Sequence, residues 1–416
     1  MKVAVLGGSG VATPELAAAI ASIPDRQIPL ELVLVGRNAG KLERVAAVSA
    51  LMAAGDPLLT ISHTTNVEAA LDGTGYVINQ VRVGGLEARR FDESFPREIG
   101  LPGEETTGAG GFANASRTIP VALEYARLIE RLSPHALLLS FANPASLVQY
   151  AITRYTNVRT LGLCDTPITL IEGIARALGV AAGDLVVDYS GMHHFGWVTG
   201  LRLHGQDVLP QALERAAEVC KDIEPAIVQA MGAIPSPYFR YVFHPDRMLA
   251  RQVGKSTRAE ELAGIEAEIM ADYELTLASG QKPTAVAKRS ARWYRMIIAP
   301  VLVALVEGQA RPGAVPLQRY ILNVVNGQTL PWLPPQAVVE TPTLIDSGVI
   351  RPLGGRPVPP AVEALVQVNC AYEMLAVEAI VERDRAKALR ALLLNPMIHG
   401  YDQAAAVLER AWAASP

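Results

Sequence analysis

The chain has 416 residues, half of them hydrophobic, which suits two or three domains or one large α/β body with an appended lobe and a sizeable core. A formal net charge of −4 and the lack of any long basic run argue against nucleic acid or an anionic membrane surface as partner. Three widely spaced cysteines, Cys164, Cys220 and Cys370, make no disulfide framework and suit a reducing compartment.

The chain opens directly on a buried strand, Lys2 to Leu6, with no secretory leader ahead of it, so a cytoplasmic protein is expected. Gly7-Gly8-Ser9-Gly10 follows, and then an Ala-rich helix to about Ser22. Strand, glycine turn and helix is how dinucleotide-binding domains begin, because bare backbone N–H groups and a helix N-terminus suit a pyrophosphate. The same turn also fits a tight βα connection without a ligand. Leu30 to Val35 reads as the second strand. An acidic residue at its end would bond the adenosine ribose, but here the chain has Gly36-Arg37-Asn38. Arg37 suits an adenine face or a 2′-phosphate, which leaves NADP open beside NAD, or it is a solvated loop residue.

A helix over 41–54 and strands over 59–62 and 76–80 continue the alternation of a parallel sheet. The glycine-dense stretch from Arg82 to Arg117 reads as a long functional loop over the nucleotide crevice. A helix over 118–132 and a strand over 136–140 come next, and Asn143 sits at that strand's carboxyl end. Residues 160–163 form another short buried strand, which delivers Cys164 and Asp165 where open α/β sheets place their ligands. After a strand over 185–190 come His193 and His194. A thiolate and an imidazole can share a divalent metal, though a lone Cys is also a common small core residue and a His beside aromatics a common buried one. Helical segments are expected over 208–231 and 258–279, with an aromatic turn at 234–241 between them. The apolar run 296–306 is too short to span a bilayer and carries Pro300. Residues 331–342 read as a proline-rich loop, and 362–412 as mostly helical.

Taken together, these motifs resemble the NAD-dependent family 4 glycoside hydrolases, the 6-phospho-glucosidase group. The resemblance runs through the Gly7-Gly8-Ser9 start, the Arg82-Val-Gly-Gly to Gly111 stretch, Asn143-Pro144 and Cys164-Asp165-x-Pro167. It continues through His194-Phe-Gly-Trp197, Pro237-Tyr238-x-x-Tyr241, Thr257-Arg258-Ala259-x-Glu261 and Glu340-x-Pro342. It implies a Rossmann dinucleotide-binding domain over 1–165 and a mixed α/β lobe for substrate and metal over 166–416, an architecture like that of lactate and malate dehydrogenases. It implies NAD and Mn²⁺ or another divalent metal held by Cys164 and His194. Tyr238 would be the base for the sugar C2 proton and Asp165 the acid. Arg89, Asn143, His193 and Arg258 would meet the substrate, and Gly7, Gly8, Ser9, Gly10, Arg37 and Asn38 the cofactor.

The implied substrate is a small glycoside, phosphorylated at O6, and the implied assembly a cytoplasmic homo-oligomer, dimer or tetramer. The Arg89-x-x-Asp92-Glu93 and Thr106 to Ala113 runs resemble β-specific members, whereas Asp165 resembles α-specific ones; the longer match favours a 6-phospho-β-glucosidase. Gly36-Arg37-Asn38, Glu104 and His193 depart from the family's usual acid, Gln and Asn. An α-specific or non-phosphorylated substrate is the alternative within the family. A metal-independent 2-hydroxy-acid dehydrogenase and a dinucleotide-sensing module are the rivals outside it.

Overall fold

The structure is a computed structural model that describes residues 1–354 and 357–413. Six parallel strands make its central sheet: β1 (Lys2–Leu6), β2 (Leu30–Val35), β3 (Leu59–Thr64), β4 (Tyr76–Asn79), β5 (Leu137–Ser140) and β6 (Arg159–Gly162). β1, β2, β4 and β5 are almost continuously buried, as strands covered on both faces must be, while β3 lies at the sheet's edge and is mostly not. They run in the order β6-β5-β4-β1-β2-β3. The order reverses between β1 and β4, which opens a crevice at the strands' carboxyl ends.

Helices α1 (Thr13–Ala21), α2 (Ala39–Met52), α3 (Val67–Leu71), α4 (Gly85–Glu98), α5 (Gly108–Leu132) and α6 (Ala145–Tyr155) make the connections, and α7 (Thr166–Leu178) follows β6. The stretch from Arg82 to Arg117 is therefore not the long loop its glycines suggest. It holds α4, with Phe91 and Phe95 stacked at 4.8 Å, and the first ten residues of α5. Gly103, Gly110 and Gly111 serve close packing, while Gly84, Gly85, Gly100 and Gly108 take positive φ. A Cβ on Gly110 would stand 2.1 Å from the Glu104 carbonyl oxygen and 2.3 Å from that of Asp92.

The later part of the chain adds a small antiparallel sheet from β7 (Leu185–Met192), β8 (Phe195–Leu203), β9 (Gln206–Asp207) and β10 (Ile234–Pro235). It also adds β11 (Gln318–Val325), β12 (Val338–Asp346) and β13 (Val349–Pro352), which extend the main sheet to nine strands through Asn323 opposite Gly162. β12 takes in the end of the stretch that reads as a proline-rich loop. Pro342 lies inside it opposite Ile321, and its carbonyl still accepts the Leu353 N–H at 2.7 Å. The helix Pro360–Glu382 is long and apolar enough to cross a membrane by length and composition. Half of that apolar window is buried in the fold, where the helix packs on α5 and α6. The expected α/β class, a Rossmann sheet with a mixed lobe, is the one the chain adopts.

Candidate active site

The glycine turn lies between β1 and α1, and Gly7 takes φ +82°, a conformation L side chains resist. The Gly8 N–H donates to the Val35 carbonyl at 2.7 Å, which ties the turn to β2. Gln80, just beyond β4, donates from Nε2 to the Gly7 carbonyl at 3.2 Å and to Thr13 Oγ1 at 3.0 Å, and Tyr294 donates to Gln80 Oε1 at 2.8 Å. The turn is thus braced from below, and no side chain caps the N-terminus of α1. An uncapped N-terminus beside a glycine turn is a place for a phosphate.

A cleft of about 510 Å³ opens over this turn, and Gly7, Ser9, Gly10, Arg37 and Asn143 are part of its wall. Arg37 is exposed there. Asn38 is not part of the wall; its Oδ1 accepts the Lys41 N–H at 2.9 Å and caps α2.

Cys164 stands two residues beyond β6, next to the strand that delivers Asn143. His193 and His194 form the two-residue turn between β7 and β8, and His194 takes φ +60°. This turn brings the two histidines to Cys164. The three side chains are buried, and their ligand atoms all lie within 4.8 Å of one another. The rings of His193 and His194 stack at 3.8 Å, and Tyr238 stacks on His194 at 3.7 Å with an interplanar angle of 8°.

Hydrogen bonds set the tautomer of His194. Thr106 Oγ1 lies 3.0 Å from His194 Nδ1 and donates its only proton to Glu104 Oε1 at 2.8 Å. While Glu104 is ionised, Thr106 can only accept from Nδ1–H, which leaves the lone pair on Nε2. His193 Nδ1 is 3.7 Å from Glu340 Oε1, too far for a hydrogen bond, and both of its ring nitrogens are buried without a hydrogen-bond partner among the described residues. Glu340 itself is fully buried and accepts from Tyr189 at 3.0 Å and Asn323 at 3.1 Å.

Burial pushes the Cys164 thiol well up, and Glu340 and Asp165 add to it, so the thiolate forms only with a cation beside it. Burial pushes His194 well down, helped by His193 and Arg240, so this imidazole is neutral and fit to ligate. Burial also raises Asp165, which heads α7, and raises Tyr238 well above an ordinary phenol. A sulfur, neutral imidazole nitrogens and orphaned buried nitrogens fit a divalent transition metal, with sides left open for a ligand.

Arg89 and Arg258 are both engaged by carboxylates. Arg89 is held by Glu93 at 2.7 Å and Glu105 at 2.9 Å, next to Glu104 and Thr106. Arg258 starts the helix Arg258–Ser279, pairs with Glu261 at 2.7 Å and is exposed. The geometry thus gathers Cys164, Asp165, His193, His194 and Tyr238, sets Asn143 and the glycine turn along the adjoining cleft, and leaves Asn38 and Arg258 in surface roles. Sequence reasoning missed Gln80, Tyr294 and the Thr106 to His194 bond. A polar residue ending an apolar strand is the one signal that pointed to Gln80.

The chain matches the model of the family 4 glycosyl hydrolases over residues 2–180 and that of the family 4 glycosyl hydrolase C-terminal domain over residues 189–398. It is 32% identical over 418 residues to a probable 6-phospho-beta-glucosidase of Bacillus subtilis, covering 96% of this chain and 92% of the relative. It is 26% identical to a maltose-6′-phosphate glucosidase of the same organism, covering 98% and 94%. The solved 6-phospho-beta glucosidase of Thermotoga maritima with manganese, NAD⁺ and glucose-6-phosphate superposes with a TM-score of 0.88 at 27% identity, covering 100% of this chain and 98% of that one.

Proposed function

The chain belongs to the family 4 glycosyl hydrolases, and we propose that it hydrolyses 6-phospho-β-glucosides with NAD and a divalent metal. The observation that carries this is the buried Cys164, His193 and His194 cluster beside a dinucleotide cleft. Relatives named for 6-phospho-β-glucosides support the β anomer, and the T. maritima structure supports NAD, manganese and a sugar phosphate. A 2-hydroxy-acid dehydrogenase would leave the cluster without work.

When bound, the nicotinamide would supply a reversible hydride acceptor for sugar C3 and the metal a Lewis acid for the neighbouring sugar oxygens. Cys164 and His194 would hold the metal, with Thr106 orienting His194 and His193 at the third side of the cluster. Tyr238 Oη takes the C2 proton. Its raised pKa suits a base only when a cation stands close by, as the metal would. Asp165, whose carboxyl burial raises, stands as the acid for the departing glycosidic oxygen. The glycine turn binds the pyrophosphate, and Asn143 faces the sugar from the end of β5. Arg37, with no acid at the end of β2, admits NADP beside NAD.

Asp165 also favours a second reading, the α anomer, because α-specific members resemble this chain there. One assay decides. The α and β p-nitrophenyl glucosides, with and without the 6-phosphate, are offered with Mn²⁺, a reductant and NAD⁺ or NADP⁺. Release of nitrophenol from the β-glucoside 6-phosphate, abolished by EDTA, is expected. EDTA-resistant turnover would sink the metal reading, and turnover of the α compound alone would reverse the anomer. The same reading places the domain division near residue 165 and a dimer or tetramer in the cytoplasm, which light scattering and cell fractionation check.

A further inference from the structure

We propose that Arg289 is the phosphoryl anchor of the cleft, recognising either the phosphate monoester of the sugar or the pyrophosphate of the dinucleotide. The inference deepens the glycosidase reading and rests on it only for the identity of the ligand. Arg289 is part of the cleft wall, with Trp293 and Phe141 beside it. Its guanidinium carbon lies 4.9 Å from the centroid of the Trp293 ring, and Trp293 stacks on Phe141 at 5.8 Å and 23°. Phe141 lies two residues before Asn143. A guanidinium held over an indole face is attracted by the ring and keeps N–H groups to meet an anion.

Arg37 also lines the cleft but is exposed to water, and three other arginines are already matched. Arg82 pairs with Glu105, Arg89 with Glu93 and Glu105, and Arg258 with Glu261. Among the described residues Arg289 has no carboxylate within ion-pair distance. It is nevertheless half-buried, and burial, then Arg89 and Arg82, depress its hold on its proton, with Glu266 only partly offsetting them. A cation kept among cations in a partly dry cleft costs free energy unless an anion is to join it. Arginine meets phosphate oxygens with two parallel N–H bonds, so a phosphoryl group is the anion that fits. Arg89 and Arg258, which the family resemblance places near the sugar phosphate and the metal site, are the neutralised ones here.

Titration calorimetry of the metal-loaded protein and its Arg289→Gln and Arg289→Lys variants tests this, with NAD⁺, glucose 6-phosphate and inorganic pyrophosphate as probes. Arg289→Gln is expected to weaken at least one probe about 10- to 100-fold, as a charge-assisted hydrogen bond of about 1.5–3 kcal/mol requires, with melting unchanged, and Arg289→Lys to weaken it less. A loss confined to NAD⁺ assigns the anchor to the dinucleotide, and a loss confined to glucose 6-phosphate assigns it to the sugar. Affinities within twofold of wild type for all three probes would overturn the proposal. If Arg289→Gln does not fold, Arg289→Lys is read in its place by the same criterion. A wild type that binds pyrophosphate alone, and loses it in Arg289→Gln, keeps the anchor and sinks the glycosidase reading; one that binds no phosphoryl probe sinks both.

Discussion

Tyr238 and Thr106 act on the same imidazole from different sides, and their removal has different signatures. Tyr238→Phe keeps the ring stacked on His194 and removes only the hydroxyl. Turnover should then fall by about 10²–10⁴, the usual worth of a placed proton acceptor. The sugar C2 hydrogen should exchange with D₂O more slowly by the same factor, while hydride transfer from C3 persists. Wild-type exchange in this variant, with slow exchange in Tyr241→Phe, would move the role three residues along the chain. Thr106→Val takes away the oxygen that receives His194 Nδ1–H. Metal affinity, read by competition with a chelator, should fall about 10- to 100-fold while NAD⁺ affinity holds. Unchanged metal affinity would refute the tautomer argument. The two cases also differ in legibility. Tyr238, Cys164 and His194 are visible because each lies in a motif that resembles the family's. The bond from Thr106 to His194 joins residues 88 positions apart, and no local pattern announces it.

At the scale of elements, the parallel strands are legible because strands buried on both faces read as short apolar runs bounded by turn residues. The segment between β4 and β5 defeats that logic. Gly110 and Gly111 mark the close approach of α5 to the chain ahead of it rather than a loop, and glycine composition alone does not separate the two. β12 is hidden by Pro342 and by the prolines that precede it. The joining of β11 to β6 depends on a single facing pair, Asn323 and Gly162, for which sequence carries no local sign. Gly110→Ala tests the packing account. Its Cβ would fall on two backbone carbonyls, which cannot turn aside as a flexible side chain would, so α4 and α5 must part. A loss of about 1–3 kcal/mol or more in urea unfolding is expected, together with weaker metal binding, since Glu104 and Thr106 move with that backbone. A midpoint equal to that of wild type would mean that the helices do not meet as closely as described.

The whole molecule is tied together across its length. β11–β13 complete the sheet begun by β1, and the helix Pro360–Glu382 packs on α5 and α6. A titrating group buried in that helix should therefore register on the global unfolding transition, and Glu373 is such a group. It is 5% exposed, and burial pushes its carboxyl up to about 7, only partly offset by hydrogen bonding that includes Asn369 Nδ2 at 2.9 Å. The sign follows from proton binding. Between about pH 4.5, where the unfolded carboxyl titrates, and about pH 7, where the folded one does, the folded state binds more protons. Stability therefore falls as pH rises through that window. The cost is absent below the window and complete above it, and a shift of this size corresponds to about 3 kcal/mol at most. Glu373→Gln removes the charge and keeps the shape. The variant should melt a few degrees above wild type at pH 8, and the gain should shrink steadily towards pH 5. Parallel melting curves for the two proteins from pH 5 to 8 would show that Glu373 does not carry its proton into the folded state.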